Sequence, residues 1–365
     1  MKKSIKLLFT ALTVSAALIF TGCINDLYGL INEEVSLETG ISGDIYSIVR
    51  FGDSLYLSNG KIYQRSALSS ASTGLTNYQW NLLKDPTSSG QQFLYLASDD
   101  NYLYALVIEG IEEDDDGDNI ETDRNVYYSS DGIEWKPISF ASGTVINTVF
   151  GNNAIDKEDR HAYVRLNSTT PVMLNGASTS AISEDYYSTL ETTSYSCTYF
   201  NGHDYFTSYD CVASRGVDSG DYCVFYSKYK GASDNSTTKI YASTAGGSET
   251  EYSISDTGTI CSISVTQDYL LLGTTSGLAR VAVSGTTPST TTTAMGNNGG
   301  SIFSVYALQT FALDPSAAWD DNDFWASATI HGSISSSGTS FTNTGLYAYY
   351  SYRGNWNKDG TASGN

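Results

Sequence analysis

Val126-Tyr127-Tyr128-Ser129-Ser130-Asp131-Gly132-Ile133-Glu134-Trp135 is the stretch whose reading decides the fold. An aliphatic-Tyr run suits a pleated strand, Ser-Asp-Gly marks a tight turn, and a second strand then begins with one Trp. The same order returns twice. Ile62-Tyr63-Gln64-Arg65-Ser66 is followed by Tyr78-Gln79-Trp80, and Leu346-Tyr347-Ala348-Tyr349-Tyr350-Ser351 by Arg353-Gly354-Asn355-Trp356. Ile240-Tyr241-Ala242-Ser243, Leu278-Ala279-Arg280-Val281 and Val172-Met173-Leu174 are fainter copies.

Each copy has a pair of strands upstream. Asp44 to Val49 precedes Gly52 to Leu57, Phe93 to Leu96 precedes Tyr102 to Val107, and Val145 to Val149 precedes His161 to Leu166. Tyr195 to Phe200 leads through Asn201-Gly202, a hairpin dipeptide, to Asp204-Tyr205-Phe206. Ile260 to Val265 precedes Tyr269 to Leu272, and Ile302 to Tyr306 precedes Phe324 to Thr329. Six units thus begin near residues 44, 92, 145, 195, 260 and 302. Four short strands at such a period predict an all-β chain of four-stranded antiparallel blades. The expectation is a β-propeller of six blades, with seven left open and a β-sandwich as runner-up. Val35-Ser36-Leu37 is a candidate to join the last blade and close the ring.

Ser129 to Trp135 resembles a degenerate Asp-box, the turn of BNR-type propellers, which include sialidases and non-enzymatic binding propellers. The resemblance implies a structural motif. Asp131 accepts backbone N–H groups across the turn, Gly132 supplies positive φ and Trp135 packs between blades. A sialidase-like enzyme would also need an arginine cluster and a Tyr–carboxylate pair. Arg50 stands where such an enzyme carries its first arginine, but Val49-Arg50-Phe51-Gly52 lacks the Ile-Pro that follows there. Clustering of Arg50, Arg165 and Arg280 at one channel mouth would favour that enzyme, and dispersal a binding module.

The N-terminus carries a second specific signal. Lys2, Lys3 and Lys6 precede an apolar run from Leu7 to Phe20, shorter than a comfortable membrane span. Phe20-Thr21-Gly22-Cys23 resembles the lipobox of bacterial lipoproteins. That resemblance implies a signal peptide over residues 1–22 and acylation of Cys23 (palmitate among the chains); the polar stretch that follows reads as a lipidated tether over 23–40, and the repeats place the propeller over 41–365. The lipobox resemblance places the protein on a bacterial cell envelope, at the outer membrane or cell surface, with the membrane as partner through the lipid. Several acyl chains, at about 0.8 kcal/mol per buried methylene, hold firmly.

Formal net charge is −21, from 40 acidic and 19 basic residues. Removing a leader with three Lys and no acid leaves the mature chain near −24. Such a field repels phosphate backbones, so nucleic acid is not expected as partner. A basic or cation-bridged protein, or a glycan, is.

Glu112 to Asp123 sets carboxylates at calcium-loop spacing, with Asp114, Asp116, Asp118 and Asp123 as candidate ligands and Gly117 at the turn. It lacks flanking helices, and a solvated acidic insertion explains it as well. Calcium is therefore the one cofactor considered. Cys197, Cys211, Cys223 and Cys261 are an even set in an exported chain and are disulfide candidates. Cys211 and Cys223 flank a Gly-rich turn on adjacent strands, and Cys197 and Cys261 both fall on predicted first strands of neighbouring blades. His161, His203 and His331 are too scattered to suggest a metal site, and no catalytic set stands out. The sequence thus predicts a lipid-anchored binding or interaction module; the alternatives are a sialidase-like enzyme and an envelope assembly scaffold.

Overall fold

A computed structural model describes residues 39–68, 79–86, 90–113, 119–182, 193–194, 196–200, 202–209, 211–216, 222–228, 238–244, 248–293, 306–335, 338–352 and 354–361. It is all-β, with six four-stranded antiparallel sheets and a two-stranded hairpin arranged as a propeller. The inner strands, in chain order, are Ser47–Phe51, Gln92–Ser98, Ile146–Gly151, Ser196–Phe200, Cys211–Gly216, Ile260–Val265 and Tyr306–Ala312. Among the described residues the Ser196–Phe200 strand pairs with His203–Thr207 alone, and the two make the fourth sheet. All six copies of the opening motif are third strands of the six four-stranded sheets.

The unit predicted from residue 195 is two sheets. Its first two strands are the hairpin, and its Ile240 copy belongs to a separate sheet that starts at Cys211. Cys211–Gly216 and Tyr222–Ser227 are adjacent strands, as the Gly-rich turn suggested.

The core lies in layers between neighbouring sheets. Ala97, Tyr104 and Val126 of the second sheet pack on Val149, Ala162 and Val164 of the third. Phe225 and Ile240 of the fifth pack on Ile263, Leu270 and Val281 of the sixth. Each buried Val, Leu, Ile or Phe among them contributes on the order of 2 kcal/mol, and each Ala less. Both faces of a middle blade are covered, so its strands read as continuous apolar runs rather than strict alternation.

Inner strands of neighbouring sheets are stitched by hydroxyls. Ser47 Oγ accepts from Leu96 N at 2.7 Å, and Ser98 Oγ donates to Arg50 O. Thr198 and Ser214 hydroxyls meet at 2.9 Å, and Ser264 Oγ donates to Thr310 Oγ1 at 3.0 Å. The contacts advance together along the strands, Ser47 with Leu96 and then Arg50 with Ser98, while Thr198 meets Ser214 and Ser264 meets Thr310 at matching heights, so the inner strands run in one direction. The face where they start is the upper face here, and the face where they end is the lower.

The ring closes between the first and seventh sheets. Thr39 pairs with Thr361 and Gly40 with Gly360, just beyond the Val35–Leu37 segment expected to close it, which lies outside the described residues. Ile48, Leu57 and Trp80 pack on Trp325, Leu346 and Ala348. Asp359, only 3 % exposed, is the centre of that seam. Its Oδ2 accepts from Trp80 Nε1 at 2.9 Å, Trp325 Nε1 at 3.0 Å and Tyr350 OH at 2.8 Å. The buried Arg65 guanidinium lies 4.6 Å from the Trp325 ring and donates to Tyr350 OH at 2.7 Å.

The 129–135 turn has the expected bonds. Asp131 Oδ1 accepts from Ile133 N at 2.8 Å and Glu134 N at 2.9 Å, and Gly132 sits at φ 75°. Those two backbone donors hold the Asp131 carboxyl below its ordinary range. Trp135 packs edge-to-face on Phe93 at 5.0 Å. Asp131→Ala leaves the two N–H groups to water and should cost about 1 kcal/mol, as loss of a helix cap does. Chemical denaturation measures it; no shift in midpoint would mean the bonds are interchangeable with water. The contribution exists above the ordinary carboxylate pKa and is lost as pH falls through the depressed one.

Candidate functional site at the channel

The seven inner strands surround a channel of 1380 Å³. Their inward edges carry no neighbouring strand, so their backbone groups face the channel. Bulges shape its upper end. The ladder shifts between Phe93 and Leu96, Ile146 and Thr148, Ile260 and Ser262, and Ala307 and Gln309. Four inner strands therefore carry a bulge near their starts, and a bulge re-aims the residues it holds. Tyr95 and Asn147 are two of them, and both line the channel. Tyr95 is 40 % exposed and braced edge-to-face by Tyr46 at 6.3 Å. The Asn147 carbonyl accepts from Arg124 Nη1 at 3.2 Å. Thr148, next in the chain, pairs in register with Arg165. Beside them Asn167 and Ser168 hold φ of 48° and 57°, tied down by Val145 N to Asn167 Oδ1 at 2.6 Å and Ser168 N to Asn147 Oδ1 at 3.3 Å.

The lower end is built differently. Arg50 donates to Leu313 O across the ring seam. Burial lowers its pKa, and Asp314 partly offsets this. Arg160 donates to Ala154 O at 2.9 Å and to Ile155 O, fastening the 152–156 loop. Burial, then the nearby Arg50, lowers Arg160 to about 10. Tyr199 hydrogen-bonds Asp159, and burial and that carboxylate push its phenol up. A nucleophilic phenolate needs the opposite shift. Behind this mouth Asp204 is buried, accepting from Asn152 Nδ2 at 2.7 Å and from Tyr163 OH, with His161 Nδ1 at 2.8 Å. It locks the two-stranded sheet to the third and was not evident in the sequence.

The arginines named as a test are dispersed. Arg50 and Arg165 serve opposite ends of the channel. Arg280 is off it, with its guanidinium 4.3 Å from the Tyr269 ring and 4.5 Å from the Trp319 ring. Four arginines do line the channel: 50, 124, 165 and 215.

The acidic stretch forms a hairpin arm on the upper face, pairing Glu113 with Asn119 and Glu109 with Asp123. Asp123 is exposed on that strand, while Asp114, Asp116 and Asp118 lie outside the described residues, as do Cys23 and Arg353. Among the described residues no group of three or more His, Cys, Asp or Glu is placed to hold a metal ion. No helix among them is long and apolar enough to cross a membrane.

The four cysteines of the disulfide expectation are buried thiols with no disulfide between them. Register decides this for the adjacent pair: Cys211 lies opposite Ser227 and Cys223 opposite Arg215, four residues out of step. Cys197 and Cys261 stand on the fourth and sixth inner strands with the fifth between them. Burial pushes the Cys223 thiol up to about 12, and burial with Asp204 nearby raises Cys197. In a Cys23→Ala chain at pH 8 a disulfide reagent should find no thiol in the folded state and four after unfolding. Fast labelling of the folded protein would contradict their burial. The raised values also set a sign. The unfolded thiols ionise near 9 while the folded ones keep their protons, so stability is full below pH 9 and falls as pH rises toward 12.

No known family matches the chain, and no curated protein does. Among solved structures, a chain of a nidogen/laminin complex shares 10 % identity over 84 % of this chain and 92 % of that one, at a TM-score of 0.39. BBS1N in a complex with ARL6DN shares 11 % over 86 % and 91 %, at 0.37. The GH43 BlXynB protein from Bacillus licheniformis shares 14 % over 86 % and 53 %, at 0.34.

Proposed function

We propose that this chain is a binding module that works through the upper mouth of its channel, held at a bacterial cell envelope by a lipid on Cys23. The observation that carries the binding reading is the coincidence at that mouth of bulged inner strands, an exposed aromatic and two arginines. Bulges and strained turn residues gather where side chains must be aimed rather than merely packed. The carbohydrate-active alternative lacks support of that kind, since the Tyr199–Asp159 pair and Arg165 serve opposite mouths and the Tyr199 phenol is shifted away from ionisation.

The test uses the detergent-solubilised full chain to capture ligand from envelope extracts and from a glycan array. Wild type and Lys239→Gln, on the third strand of the fifth sheet, should retain the same ligand, and Tyr95→Ala should lose it. Equal retention by all three chains would sink the mouth as the site. The anchor is tested separately, by incorporation of radiolabelled palmitate. Label should be present in the wild type and absent from Cys23→Ala; unchanged label would remove the anchor from this reading.

A further inference from the structure

Resting on the upper mouth as a binding site, we propose that its ligand is an acidic oligosaccharide, with sugar carboxylates taken by Arg165 and Arg124 and a ring face laid on Tyr95.

Charge is the first argument. Acidic residues outnumber basic ones two to one in the chain, 40 against 19. The channel lining reverses this, with four arginines and two carboxylates, Asp156 and Asp159, both on the lower loop. The upper mouth holds Arg124 and Arg165, and the residues lining it include no carboxylate. Asp123 precedes Arg124 on an extended strand and so projects to the opposite face. Glu109 is turned onto its own sheet, accepting from Asn125 Nδ2 at 3.0 Å and from Tyr127 OH. A small cationic mouth within an acidic surface focuses the field on anions of limited size.

Two unpartnered polar atoms are the second argument. Arg165 Nε is buried without a hydrogen-bond partner. So is the hydroxyl of Ser262, a residue only 7 % exposed that follows the bulge in the sixth inner strand. Both residues line the channel. Buried donors left open in this way ask for an acceptor, and a planar guanidinium matches a carboxylate in a two-point fork.

The aromatic decides between a sugar and another anion. Tyr95 exposes a ring held rigid by Tyr46, a flat apolar surface suited to the C–H face of a pyranose. Gln92, Asn147 and Thr148 also line the channel, amides and a hydroxyl of the kind that exchange hydrogen bonds with sugar hydroxyls. A carboxylate-rich peptide would use the arginines and leave the aromatic shelf unused.

The experiment titrates the detergent-solubilised full chain, by calorimetry, with galacturonate and glucuronate trisaccharides and with their methyl esters, which keep the ring and lose the charge. At least one acid form should bind, its ester at least tenfold more weakly, and added salt should weaken the acid alone. Arg165→Gln should reduce acid affinity at least tenfold and leave the ester unchanged. Tyr95→Ala should weaken both. Circular dichroism and a melting curve establish that each variant is folded. Equal affinity for acid and ester, or an Arg165→Gln chain that binds as wild type, overturns the inference while the mouth stands as a binding site. Tighter binding of polyglutamate than of either trisaccharide overturns the saccharide in favour of an acidic peptide. No binding of either acid, with Tyr95-dependent capture of another molecule, overturns this inference alone; without such capture both readings fall.

Discussion

Asp359→Ala should unfold at markedly lower denaturant and temperature than wild type, with a loss of about 3–5 kcal/mol. The carboxylate accepts from two indoles and a phenol on one oxygen, and from Gly360 N at 3.1 Å on the other. Arg65 Nη1 lies 3.9 Å away, with its side chain fully buried. Removing the acid strips three donors of their acceptor and leaves a cation in an apolar seam. Truncating one partner of a buried ion pair costs that much because the other charge cannot regain water. In a chain of this size the midpoint should fall by about 5–10 °C. Asp359→Asn keeps the shape and one acceptor oxygen but loses the charge, so it should fall between the two. A melting point within a degree of wild type for Asp359→Ala would show that the seam does not hold the ring shut. The placement explains the size: Arg65 belongs to the first sheet and Trp80 directly precedes its last strand, while Trp325 and Tyr350 belong to the seventh. One carboxylate near the C-terminus therefore joins two ends of the chain.

Gly345→Ala should open the same seam from its other side. A methyl at this position would run into the Ile41 carbonyl oxygen, closer than any real contact. The clash is with backbone, so no side-chain rotation relieves it. Leu346 N donates to that oxygen at 2.9 Å, and Gly43 N donates to Thr344 O at 3.1 Å. Both bonds must stretch as the 39–43 segment is pushed away. Overpacking of this kind costs about 1–3 kcal/mol, and each lost bond adds on the order of 1 kcal/mol. Hydrogen exchange resolves the effect locally. Amides of Gly43 and Leu346 should exchange at least tenfold faster, while those of Val126 and Val164, in the second and third sheets, keep their wild-type protection. Unchanged exchange at Gly43 would show that the segment accommodates the methyl without losing its register.

How much of this was legible in the residues varied with the range of the interaction. The third strands showed because each repeats an aliphatic-Tyr pattern before a turn, and the 129–135 turn because its bonds join residues two or three apart. The two-stranded sheet hid because its successor starts after a three-residue connection, and the long interval to Ile240 read as one interrupted unit. Disulfide pairing failed for a similar reason. The Gly-rich turn placed Cys211 and Cys223 on adjacent strands, but the register that sets them four residues apart depends on how the strands pair. Of the upper mouth, Arg165 was singled out, but Tyr95, Arg124 and Asn147 were not. What unites them is a bulge in each of two neighbouring inner strands, and an extra residue in a strand leaves no mark in the hydrophobic pattern.

The sequence by itself determined the class of fold, the strand order within five of the sheets and the local turn chemistry, because these follow from alternation, β-propensity and the conformational freedom of residues such as Gly132. It also carries the N-terminal signal on which the anchor is proposed. Only the tertiary structure decided which charges share a space. Eight arginines look scattered in a chain of net charge −21, yet ring closure brings four of them to one channel and buries Arg65 against Asp359. Those neighbours are separated by up to hundreds of residues, and their encounter is fixed by the number of sheets and the seam that closes them.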